Sequence, residues 1–137
     1  DILDNRKAME CIAYTGMEAA KVIQALGVTP VELFGLCPTP ENVCFQDQAG
    51  LDRVIDYWTR IYTPYRGQKA SMIQDLEKGR VCEILQINGK FVSDGKKVGI
   101  PTPFNDKIVE LVTEIQDGKQ TLEGAWSNLD RFQIPAL

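Results

Sequence analysis

Three polar side chains set on otherwise apolar stretches, Ser71, Asp75 and Glu83, are the groups best suited to hold a small molecule. A hydroxyl donates or accepts a hydrogen bond, and a carboxylate accepts one or faces a cation. Ser71 and Asp75 fall where Met72, Ile73 and Leu76 recur at helical spacing, and Gly79 is placed to end that helix. A second helix is predicted over residues 82–98, with Ile84, Ile87, Phe91, Gly95 and Val98 stepping along one side. In one unbroken helix the steps from Ser71 to Glu83 would span about 18 Å, too far for both to hold one small ligand. A break at Gly79 would let the chain turn and bring the two groups to a common cleft. Spacing alone also fits a serine bonding back to a helix carbonyl and a first-turn glutamate favoured by the helix dipole.

The rest of the chain must position that segment. Residues 4–26 read as a helix with Met9, Ile12, Gly16, Ala19, Ala20 and Ile23 on one side and Gly27 as its stop. Gly16 and the alanines would let another helix approach closely. Thr29-Pro30 has the form of a cap and first helical position, opening a short turn through Leu36. Cys37-Pro38-Thr39-Pro40 forbids regular helix, so residues 37–47 read as a loop.

Residues 48–62 give the clearest amphipathic pattern, with Leu51, Val54, Ile55, Trp58 and Ile61 on one face. Trp58 reads as a core aromatic, and Tyr62 and Tyr65 stand where they could line a cleft. A turn over residues 63–67 leads into the segment that holds Ser71. The helix over 82–98 has a second apolar line through Leu85 and Val92, as a central helix would. Thr102-Pro103 repeats the cap-plus-proline start, before a buried face of Phe104, Ile108, Leu111, Val112 and Ile115. Residues 121–131, with Leu122, Trp126 and Leu129, complete the chain as a terminal helix. No segment alternates with period two, so the fold class is all-α.

Composition narrows the chemistry. With 137 residues, 44% of them hydrophobic, the chain is one domain with mass enough for a core. A net charge of −4 disfavours a nucleic-acid or anionic-membrane surface, and no run approaches the ~20 apolar residues of a membrane helix. There is no histidine, and Cys11, Cys37, Cys44 and Cys82 show no Cys-x-x-Cys spacing. A metal site and Cys-His or Ser-His catalysis are therefore not expected. Reduced thiols in a cytoplasmic protein are.

The pattern Ser71-Met72-Ile73-Gln74-Asp75-Leu76, Gly79-Arg80, Glu83-Ile84, Ile87-Asn88-Gly89, followed by Gly99-Ile100-Pro101-Thr102-Pro103-Phe104-Asn105, resembles the C-terminal domain of the ketopantoate reductase family. The match is densest over residues 69–112, looser upstream to about Asp4, and fades after Gln116. The resemblance implies an all-helical bundle like the C-terminal domain of 6-phosphogluconate dehydrogenase. It implies a parent enzyme that uses NADPH, bound by an N-terminal Rossmann domain, to reduce a 2-keto acid, and a helical domain that closes the substrate cleft and forms a homodimer. Against the family pattern Asp1 falls after the opening helix, so residues 1–137 are expected to be the helical domain without the Rossmann domain or that helix. The family's catalytic lysine would lie before Asp1, and Lys7 and Lys21 read as solvated.

By the same resemblance Ser71 and Glu83 match substrate-binding positions, and Gln68 stands where the best-matched members carry a substrate-binding asparagine. That extra methylene shifts the amide by about one bond length, roughly 1.5 Å, enough to reshape a tight cleft. Asp75 reads as a local capping or pairing residue and Asn88 as a packing amide. A helical interaction module that keeps the fold without catalysis is the competing expectation.

Overall fold

The computed structural model describes residues 1–32 and 35–137. The described residues form α1 (Arg6–Ala25), α2 (Pro40–Val43), α3 (Gln48–Tyr62), α4 (Ser71–Glu77), α5 (Asn88–Val98) and α6 (Pro103–Gln116). Short 3₁₀ segments at Ile2–Asp4, Thr63–Tyr65, Glu83–Leu85 and Ala125–Arg131 join or flank them. No β-strand occurs among the described residues, so the all-α class holds.

Local sequence sets most boundaries. Asn5 begins α1 by accepting from the Ala8 N–H at 3.0 Å, and Asp47 begins α3 by accepting from Gly50 at 2.8 Å. Gly79 ends α4 with φ +65°, a left-handed conformation that costs glycine nothing. The Arg80 N–H then donates to the Asp75 carbonyl at 2.8 Å and the Gly79 N–H to Leu76 at 3.1 Å, the paired bonds of a Schellman stop.

Helix α1 is the central element, packed on α2, α3, α5 and α6. Ala13, Tyr14, Leu51, Val54, Phe45 and Phe104 form the main cluster. Within it Tyr14 stacks on Phe104 at 4.6 Å and meets Phe45 edge-on at 4.9 Å. Gly16 permits one close approach. A Cβ there would lie 2.5 Å from Cζ2 of Trp58, so only a hydrogen leaves room for the indole.

Several expectations need correction. The helix predicted over 82–98 is a 3₁₀ turn followed by α5, which starts only at Asn88. Nor is α5 central: its buried residues are Asp94 and Gly95, while Leu85 stands exposed in the preceding turn. An eleven-residue helix with so narrow a covered stripe is peripheral, and its second apolar line through Val92 is only half-buried. A one-turn helix, α2, interrupts the loop expected over 37–47. Residues 28–32 are not helical, and the rest of the turn expected there includes positions outside the described residues. The C-terminal helix expected over residues 121–131 is 3₁₀ and spans Ala125–Arg131, with Trp126 exposed. Lys7, expected in solvent, is half-buried and pairs with Asp130 at 3.1 Å.

Thr102 does not cap α6 as its sequence suggests; its hydroxyl donates to Asp106 at 2.9 Å. The first α6 amides are met by Glu18, from the middle of α1. Its carboxylate accepts from the Phe104 N–H at 2.8 Å, the Asn105 N–H at 2.9 Å and the Asn105 side-chain amide at 2.7 Å. A negative group at a helix N-terminus is favoured, though burial still pushes this carboxyl above the ordinary glutamate range.

Replacing Glu18 with Ala strands these donors, at a cost of about 2–4 kcal/mol, and is expected to lower the thermal midpoint by roughly 10 °C, as read by circular dichroism. The surface carboxylates give a pH prediction of definite sign. Hydrogen bonds from Arg131, Arg66 and Arg6 hold Glu114, Asp4 and Asp52 below their ordinary range. Their stabilising effect is therefore present above the unfolded value of about 4 and is lost as pH falls through the lower folded values. The thermal midpoint should drop between about pH 5 and pH 3, and Arg131→Ala should make that drop shallower.

Candidate functional site

Two places could engage a partner or ligand, and they are built differently. The first is an apolar cleft of about 310 Å³ along α1. Ala8, Cys11, Ile12, Thr15, Gly16 and Ala19 recur by three or four and form its floor. Ile2 ahead of α1, Trp58 and Tyr62 of α3, Asn88 and Phe91 of α5, Asn105 and Ile108 of α6, and Leu129 and Phe132 near the C-terminus complete it.

Small residues at 8, 16 and 19 keep the floor low, and bulky side chains from the other elements raise its walls. The setting is dry: burial pushes the Cys11 thiol up to about 11, and the Trp58 indole nitrogen is buried without a partner among the described residues. The two amide side chains in the lining are already engaged. Asn88 donates to Asn105 at 3.0 Å, and Asn105 also donates to the Thr15 carbonyl at 3.2 Å. Asn88 is thus the packing amide its position suggested. Tyr62 lines this cleft; Tyr65 is not among its lining residues.

The second place is the segment from Gln68 to Glu83. Ser71 is the first residue of α4, Glu83 the first of the following 3₁₀ turn, and Gln68 lies in the loop before α4. All three are exposed, and none lines the cleft along α1. The break at Gly79 separates α4 from the Glu83 turn, which removes the continuous helix that would have held the two groups apart. Asp75 sits 4.0 Å from Arg80, a local pairing of the kind its position suggested. Helix α4 has no buried residue, and Ile73, Val81, Leu85 and Ile87 are all more than 40% exposed around it.

The polar groups of this segment can chelate a small polar molecule only from the outside, as one wall of a site. No group of three or more Cys, Asp or Glu side chains among the described residues is placed to hold a metal ion. All four cysteines are free thiols. No helix is long and apolar enough to cross a membrane among the described residues.

Sequence reasoning missed the cleft and Glu18. The small-residue spacing on α1 was visible, and Gly16 does let α3 approach closely by seating Trp58, while Ala8 and Ala19 line the cleft. Glu18 was detectable as the one carboxylate among the buried positions of α1.

An all-α domain with a central helix, an apolar cleft and an exposed Ser/Glu segment matches a known family over most of its length. Residues 1–116 match the family described as ketopantoate reductase PanE/ApbA C terminal, and the chain belongs to that family. Among curated relatives, a 2-dehydropantoate 2-reductase from Aquifex aeolicus (strain VF5) is 31% identical over 81 residues, or 59% of this chain and 26% of that protein. A 2-dehydropantoate 2-reductase from Archaeoglobus fulgidus (strain ATCC 49558 / DSM 4304 / JCM 9628 / NBRC 100126 / VC-16) is 38% identical over 50 residues, 36% of this chain and 17% of its own. The matched stretches therefore span about a quarter or less of these relatives. No solved structure is a significant match.

Close packing around Gly95 in the C-terminal half of the domain can be checked directly. A Cβ at that position would lie 2.7 Å from the Ile100 carbonyl oxygen and 2.9 Å from Thr102. Backbone cannot yield as a flexible side chain can, so Gly95→Ala is expected to cost about 1–3 kcal/mol and to lower the denaturant midpoint.

Proposed function

We propose that the chain is the C-terminal helical domain of an NADPH-dependent reductase that converts a 2-keto acid of the ketopantoate type to its 2-hydroxy acid. The match to the ketopantoate reductase C-terminal family over residues 1–116 carries this reading, and the names of the two curated relatives support it. Under this reading, residues 1–137 supply substrate contacts and a homodimer surface. A Rossmann domain and the opening helix with its lysine belong to the rest of the parent protein.

Each residue then has a bounded role. Ser71 offers a hydroxyl that donates to or accepts from the substrate. Glu83 accepts a hydrogen bond from a substrate hydroxyl and adds a negative field beside the proton-donating lysine. Gln68 holds the substrate by its amide, with a reach about one methylene longer than asparagine, roughly 1.5 Å. Hydride comes from the cofactor, which supplies the redox chemistry when bound. The exposed apolar side chains beside these residues, Ile73, Val81, Leu85 and Ile87, support the reading, since a wall of an interdomain site stands uncovered on the domain by itself.

In the parent enzyme, Ser71→Ala removes a neutral hydrogen bond worth about 0.5–1.5 kcal/mol, so kcat/KM should fall about tenfold or less. Glu83→Ala removes a charged acceptor worth about 1.5–3 kcal/mol, a loss of about tenfold to a hundredfold or more. Unchanged kinetics in both variants would reject the assignment. The 137-residue chain alone should bind NADPH no tighter than about 100 µM, roughly 5.5 kcal/mol, and tighter binding by calorimetry would overturn the division of labour. Light scattering at high micromolar concentration should show self-association, and a clean monomer counts against the dimer surface.

A further inference from the structure

We propose that residues 117–137 form a releasable strap that closes one end of the cleft along α1. The family match ends at residue 116, just before this segment, yet Leu129 and Phe132 from it are part of the cleft wall. Its attachment has an apolar anchor and a charged latch. Phe132 stacks on Phe104 at 5.7 Å, and Leu129, Phe132 and Ile134 pack half-buried against the cluster that contains Cys11. Arg131 reaches Glu114 at 2.5 Å and Glu110 at 2.6 Å, while Asp130 meets Lys7 at 3.1 Å. Within the segment Asn128 donates to Gln120 at 2.8 Å, and Gln120 ties it to α6 by donating to Glu114 at 3.0 Å and to the Leu111 carbonyl at 3.3 Å.

These attachments are of the kind that lets go first. Each of the ion pairs has an exposed partner, and such pairs are weak and screened by salt. The backbone is a seven-residue 3₁₀ stretch with Asn128 as its buried residue, and 3₁₀ hydrogen bonds have poorer geometry than α-helical ones. The core helices beneath hold many fully buried side chains, including Ala13, Val22, Leu51 and Val54. The strap is therefore the low-stability unit, opening locally while the helices stay folded. Opening lifts Leu129 and Phe132 from the apolar floor and uncovers Cys11, which is 6% exposed when the strap is down. The segment thus sets whether the cleft is presented or closed.

Alkylation of the native 137-residue chain with N-ethylmaleimide, followed by peptide mass spectrometry, tests this. Cys11 reports the cleft. Cys82, 4% exposed and not among the residues that line the cleft, reports opening elsewhere in the domain. Raising NaCl from about 0.1 M to about 1 M shortens the Debye length from about 10 Å to about 3 Å. Cys11 should then react about fivefold faster or more, with Cys82 unchanged. Arg131→Ala and Phe132→Ala should each accelerate Cys11 selectively at low salt. An unchanged Cys11 rate under salt overturns the proposal, as does an increase at Cys82 in step with Cys11. The salt series decides the matter if either variant loses its helical circular-dichroism signal.

Discussion

A buried carboxylate at the start of another helix holds this fold in its arrangement. Glu18 leaves α1 midway and takes the first free amides of α6, which proline at Pro103 and a diverted Thr102 leave open. The same carboxylate fixes the Asn105 side chain, whose oxygen then receives the amide of Asn88 at the start of α5. Three helices are thereby registered through one chain of hydrogen bonds at the buried centre. Hydrophobic packing alone would not fix that register, since the apolar contacts around Tyr14, Phe104 and Leu51 are not directional. In a low-dielectric interior each satisfied donor is worth more, and each stranded one costs more, than at the surface.

What the sequence disclosed and what it hid divide along the range of the interactions involved. The bounds of α3 were legible because its apolar stripe is local, although buried Tyr57 lay outside the expected face. The stops at Gly27 and Gly79 were legible for the same reason: a left-handed residue closes a helix using only its own neighbours. The α6 start looked equally local, with threonine before proline, yet the cap came from a residue 86 positions earlier. Residues 82–87 failed differently. Their apolar spacing suits a helix, but Ile87 takes φ −99° and ψ −86°, outside the α-helical region, so α5 begins late.

The candidate site was legible as composition and as family pattern, and much less so as geometry. The break at Gly79 could be read, because one glycine decides it. Where Ser71, Gln68 and Glu83 stand relative to the cleft could not, because α4 has no buried face from which an orientation could be inferred. A cleft assembled from six separate parts of the chain leaves no motif, only small residues at helical spacing on α1 and aromatic residues scattered elsewhere.

The segment with the most specific family pattern packs lightly on its own domain, Cys82 and Ile84 excepted. Residues that stabilise a domain are buried by it, as Glu18, Asn105 and Leu51 are. Residues that meet something outside must stay available, at the expense of burial within their own domain. Ser71 and Glu83 are exposed, and so are the apolar side chains of Ile73, Val81, Leu85 and Ile87 around them. Exposed polar groups alone would describe any solvated surface. An uncovered run of β-branched and leucine side chains beside them does not, because it contributes nothing to this domain's core while raising its hydration cost. Apart from Cys82 and Ile84, which are buried, residues 68–87 leave Ile73, Val81, Leu85 and Ile87 uncovered, whereas α1, α3 and α6 carry the core.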